Sequence, residues 1–130
     1  MERPQISKVL IVEDNSLNMK VATMALRPQG YNIVEAVDGE EAIEVAVREN
    51  PDLIMMDIQL PKMNGLDATR KLRQMPAFAK TPIIALTAYA MKGDKEKTIQ
   101  AGCNYYLSNP VNTRELRQVV ADLLAGNQPG

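Results

Sequence analysis

The sequence contains no histidine, no tryptophan and a single cysteine, Cys103. Without histidine the chain can form no Ser/His/Asp triad, no His-ligated zinc site and no imidazole general base of its own. One cysteine excludes an intramolecular disulfide and suits a reducing cytoplasm, the expected location. Long apolar runs are also missing. The run that follows Met1-Glu2-Arg3-Pro4-Gln5 is too short for a signal h-region or a membrane span, so no membrane contact is expected. Nor does one sign of charge dominate. With 15 Lys+Arg against 16 Asp+Glu the net charge is −1, and no excess of basic residues points to nucleic acid. What is present is ordinary for a globule: 130 residues, 45% of them apolar, enough for one core that needs neither disulfide nor structural metal. A single domain over 1–130 is expected, its core spanning about 7–125, with 1–6 and the tail Gly126–Gly130 flexible.

Hydrophobic periodicity alternates between short apolar runs and longer amphipathic stretches. Val9–Val12 and Leu53–Met56 are continuous apolar runs, the pattern of strands covered on both faces. Asn32–Ala36, Pro82–Leu86 and Tyr105–Leu107 complete five predicted strands. Helices are predicted over 16–29, 40–49, 66–75 and 92–101, with a last one carrying Leu116, Val119, Val120, Leu123 and Leu124 at helical spacing. On the second, Ala42, Ile43, Ala46 and Val47 form the apolar stripe; the fourth, rich in Lys and Glu, has the weakest stripe. Asn112, with Glu115 three residues on, is the expected cap of the last helix. Met19, Met24, Met55, Met56 and Met75 read as core filler. Lys92, Lys95 and Lys97 read as a solvated face, and Asp38 as a turn or cap. Five βα units imply an α/β fold, a parallel sheet with helices on both faces.

The polar residues collect at strand ends. Glu13 and Asp14 follow the first strand, Asp57 ends the third, Thr87 the fourth, and Asn109 follows the fifth. In open α/β sheets ligands bind at the carboxyl ends, where strand order reverses. With order 2-1-3-4-5 the first and third strands are neighbours, and three carboxylates share one site. Such a cluster needs protonation or a cation, and oxygen-only donors suit a hard ion such as Mg²⁺. Taken singly, each residue has a plainer use: Asp14 or Asn15 as a helix cap, Asp57 as the opening of a turn before Pro61, Thr87 as a sheet-end hydroxyl. It is their coincidence at the ends of strands one, three and four that points to chemistry.

The segments VLIVEDN (9–15), LIMMDIQLPKMNGLD (53–67), PIIALTAYAMKGD (82–94) and AGCNYYLSNPV (101–111) resemble the receiver domain of bacterial two-component response regulators. The wording around MDIQLP and LTAYAMKGD is most similar to stand-alone cell-cycle receivers and to receivers of hybrid sensor kinases. The resemblance implies a flavodoxin-like (βα)₅ fold and Asp57 as phosphoacceptor. It implies Mg²⁺ held by Asp14, Asp57 and the main-chain carbonyl of Gln59, with Glu13 acting through water. Thr87 and Tyr106 match the switch positions. The phosphoryl donor would be the histidine of a sensor histidine kinase or histidine phosphotransfer protein. A downstream protein would bind the face of the fourth helix, fifth strand and fifth helix. A monomer or weak dimer without output domain is expected, acting as a signalling switch rather than a turnover enzyme, at most phosphorylating and dephosphorylating itself.

One position departs from that family. Asn109 stands in Ser108-Asn109-Pro110 where receivers normally carry Lys. An amide donates a hydrogen bond but brings no charge, and charge-assisted contacts are roughly twice as strong as neutral ones. The alternative is therefore a pseudo-receiver, an interaction module impaired in phosphorylation or switching. A Mg²⁺-dependent aspartyl phosphatase is disfavoured, because Gln59 occupies the slot of its second, acid–base Asp. A flavin carrier is disfavoured by the acidic first loop, where a cofactor phosphate needs donors.

Overall fold

A computed structural model describes residues 6–88 and 92–128, except the side chains of 92–94. Strands β1 (Lys8–Val12), β2 (Asn32–Ala36), β3 (Leu53–Asp57), β4 (Ile83–Thr87) and β5 (Tyr105–Ser108) form one parallel sheet in order 2-1-3-4-5. Side chains alternate across each strand. Val9, Ile11, Met55 and Leu86 face one layer, where α1 (Ser16–Leu26) and α5 (Thr113–Leu124) pack. Leu10, Val12, Ile54 and Met56 face the other, with α2 (Gly39–Glu49) and α3 (Gly65–Arg73). Every residue of β3 and β4 is buried, which is why those strands are apolar up to their last residues, Asp57 and Thr87, rather than alternating.

Short polar side chains start the helices by accepting from otherwise orphaned N–H groups. Asn15, Asp38, Asn64 and Asn112 accept from the main-chain N–H of Asn18, Glu41, Asp67 and Glu115, at 2.8–3.0 Å. Asn15 rather than Asp14 is therefore the first cap. α1 stops at Leu26, short of the predicted 29, because Pro28 tightens residues 27–29 into a 3-10 turn closed by Gly30 at φ 91°. α3 likewise ends at Arg73 rather than 75.

Two other expectations are corrected. Met24 is 64% exposed, on the outer face of α1, and is not core filler. On α2 the buried stripe is Ala42, Val45 and Ala46; Val47 is 61% exposed, the stripe being rotated from the predicted one. Residues 126–128 continue from α5 through a defined turn. Gly126 adopts φ 83°, its N–H donates to Leu123 O, and the N–H of Asn127 donates to Asp122 O, closing α5 with a Schellman motif. The rest of the predicted flexible ends, 1–5 and 129–130, lies outside the described residues.

Helix α4 (Lys92–Ala101) forms as predicted, with Thr98 and Ala101 buried and Lys95 and Lys97 exposed. Its carboxyl end is anchored by Arg73. The guanidinium donates to the carbonyls of Gly102 (2.9 Å), Phe78 (2.7 Å) and Thr81 (2.6 Å) and to Asn104 Oδ1 (2.7 Å). This knot ties α3, α4 and the starts of β4 and β5 together at the amino rim of the sheet.

Candidate acidic site at the carboxyl rim

Parallel strands all end at the same rim, so the order 2-1-3-4-5 determines which ends meet. β1 pairs with β3 in register Val12↔Met56, which sets Glu13 and Asp14 beside Asp57. The three carboxylates offer oxygens that all lie within 4.8 Å of one another. Glu13 and Asp57 are buried, 2% and 6% exposed, while Asp14 is open to solvent. The cluster inferred from the sequence is thus assembled, and the capping alternative for Asp14 is closed because Asn15 takes that role.

Asp57 does open a turn, since its Oδ1 accepts from the Gln59 N–H at 2.9 Å. The two readings of Asp57 are compatible, because the turn engages Oδ1 while the carboxylate still lies within the acidic cluster. Gln59 itself is exposed. Burial pushes the Asp57 carboxyl up to about 8; a hydrogen bond with Glu13 and the charges of Glu13 and Asp14 act in the same direction, against the Gln59 N–H. Without a cation these surroundings favour the protonated form of Asp57.

Glu13 is fixed at both oxygens. Oε1 accepts from Asn18 Nδ2 at 3.1 Å and from the Asn15 N–H at 3.4 Å; Oε2 accepts from Asn109 Nδ2 at 3.1 Å. Among the described residues no Lys or Arg pairs with any of the three acids; Lys62 Nζ, the nearest pairing in the adjoining loop, reaches Asp38 instead at 3.8 Å. Only oxygen donors, two of them buried and uncompensated, fit a hard divalent cation such as Mg²⁺.

The other predicted residues surround this cluster. Thr87 is buried at the end of β4, and its carbonyl accepts from the Asn109 N–H at 2.8 Å. Asn109 is followed by a cis bond to Pro110. Tyr106 is half-buried on β5 opposite Ala85, with Lys95 Nζ 5.9 Å from its ring centroid.

Two contributors escaped the sequence reading. Asn18 grips Glu13 from α1, and its only signal is an amide three residues after the cap. Gly65 opens α3, where a Cβ would collide with the Asp57 carbonyl. Gly39 stands in the same relation to the Met63 carbonyl. A glycine at a first helical position, poor for helix stability, is the trace such close approaches leave in a sequence.

Residues 9–121 match the response regulator receiver domain family. The polar-differentiation response regulator DivK of Brucella ovis is 41% identical over 116 residues, spanning 89% of this chain and 94% of its own. A putative response regulator from Chloroflexus aurantiacus superposes with a TM-score of 0.89 at 32% identity, covering 93% of this chain and 99% of that one. The receiver domain of a Pseudomonas aeruginosa sensor histidine kinase, which has a magnesium ion coordinated in its active-site cleft, gives a TM-score of 0.86 at 39% identity over 93% and 99% of the two chains. Among the described residues no helix is long and apolar enough to cross a membrane. With most of its length covered, its sheet order shared and its acidic rim in place, the chain belongs to the receiver domains of two-component response regulators.

Proposed function

We propose that the protein is a phosphoacceptor of the single-domain response regulator kind, taking a phosphoryl group onto Asp57 from the histidine of a partner kinase or phosphotransfer protein. The observation that carries this reading is the convergence of Glu13, Asp14 and Asp57 within 4.8 Å at the rim. Asp14, Asp57 and the Gln59 carbonyl would hold Mg²⁺, with Glu13 acting through water. When bound, that ion supplies positive charge to the transferring oxygens. The attacking atom in this reading is Oδ2, the oxygen that does not accept from the Gln59 N–H. Its lone pair forms the new O–P bond as the bond from phosphorus to the donor nitrogen breaks and the electron pair leaves with nitrogen. In this reading Thr87 would donate to a phosphoryl oxygen, and Tyr106 would respond on the face formed by α4, β5 and α5. The chain then acts as a switch and not as a turnover enzyme.

Intact-mass analysis after treatment with acetyl phosphate and Mg²⁺ tests this. One labile phosphoryl increment is expected, lost in Asp57→Ala and without Mg²⁺; an increment retained in Asp57→Ala overturns the assignment.

A second reading, a module held in one state, is favoured by the neutral contact of Asn109 with Glu13. Under it, Asn109→Lys gains phosphorylation that the native chain lacks. Equal increments in both forms reject it.

A further inference from the structure

Glu13 is the most enclosed carboxylate of the site, and both of its oxygens are held by side-chain amides from different elements, Asn18 on α1 and Asn109 after β5. Amides orient a carboxylate without cancelling its charge. We infer that the neutrality of this pair of asparagines sets the cation affinity of the pocket: Asn109 and Asn18 hold Glu13 with amide dipoles and add no positive charge, so a divalent ion binds more tightly than it would beside an ammonium at either place. The inference rests on the proposed metal-holding role of the acids and concerns how strongly they hold the ion.

The argument is electrostatic. A donor 3.1 Å from Glu13 Oε2 sits next to the shared space of the three acids. An ammonium there would repel a dication only a few ångströms away. Even with the strong screening of a solvent-open site, that repulsion corresponds to about tenfold or more in affinity. Removing the amide without adding charge leaves the net charge of the pocket unchanged and takes away one dipolar contact to Glu13. Charge and hydrogen bonding are therefore separable by substitution.

The experiment is isothermal titration with MgCl₂ of the native chain, Asn109→Lys, Asn109→Ala and Asn18→Lys, with the melting temperature followed against Mg²⁺ in parallel. The native chain is expected to bind. Asn109→Lys should raise Kd about tenfold or more, Asn18→Lys should move it the same way, and Asn109→Ala should stay within about threefold. Asn18 is only partly buried on α1, so its lysine variant carries the test should Asn109→Lys fail to fold. Lysine variants that bind within twofold of the native chain overturn the inference while leaving the metal site standing. A loss in Asn109→Ala as large as that in Asn109→Lys also overturns it, because the hydrogen bond and not the charge would then govern affinity. A native chain with neither binding heat nor a melting shift overturns the metal site itself, and this inference with it.

Discussion

At the amino rim of the sheet, Arg73 spends its guanidinium on three carbonyls and one amide oxygen, and no described carboxylate pairs with it. At the carboxyl rim, Glu13, Asp14 and Asp57 crowd together with no described cation beside them. One end of the molecule satisfies a charge internally with oriented dipoles; the other leaves charge unanswered. The difference separates structure from function within one sheet. A charge whose hydrogen bonds are all made holds elements together. A charge left uncompensated costs stability and is kept where something must bind.

Breaking the satisfied end should have the largest effect. Arg73→Met would take a donor from four acceptors, of which Asn104 Oδ1 keeps the Ile83 N–H, and is expected to destabilise the fold by roughly 3–5 kcal/mol, read as a lower urea midpoint. Arg73→Lys should rescue little, because an ammonium cannot span the planar fork.

Relieving the unsatisfied end should stabilise. Folding raises the Asp57 pKa to about 8, so in Mg²⁺-free buffer the folded chain holds a proton that the unfolded chain has already released. The native protein is then most favoured below about pH 4, and that contribution is lost as pH rises toward 8, by up to about 1.4 kcal/mol per pH unit. Asp57→Asn should match the native chain in acid and melt higher at pH 8; equal melting at pH 8 would erase the contrast between the rims.

Adding the missing charge sharpens the same comparison. Mg²⁺ at a hundred times its Kd should stabilise the folded state by about 2.7 kcal/mol, and Asp14→Ala should abolish the shift in melting temperature. The smallest effect lies in the flanking cap. Asn15→Ala is expected to cost about 1 kcal/mol in chemical denaturation.

How much of this was legible depended on whether a signal was local. Val9–Val12 and Leu53–Met56 announced buried strands, and the order of polar residues along the chain anticipated which ones meet at the rim. The choice between Asp14 and Asn15 was not legible, because either residue type caps a helix; backbone geometry decides for Asn15. Met24 misled because α1 carries apolar residues on its outer face as well, Leu17 among them, so periodicity could not orient it. The stop of α5 was not legible either, because nothing in the sequence distinguishes Gly126, which supplies its left-handed turn, from any other tail glycine. Arg73 left no trace at all. Its acceptors lie 5 to 31 residues away, and three of them are main-chain carbonyls that any residue could provide.

The two glycines beside the acidic rim have a wider consequence. Where Gly39 meets the Met63 carbonyl and Gly65 meets the Asp57 carbonyl, bare backbone rests on backbone. A joint of that kind does not depend on the identity of its neighbours. At Gly65 the three nearest atoms all belong to the main chain, so the seat of Asp57 is held by backbone shape and by one missing methyl group rather than by any side chain of the loop between them.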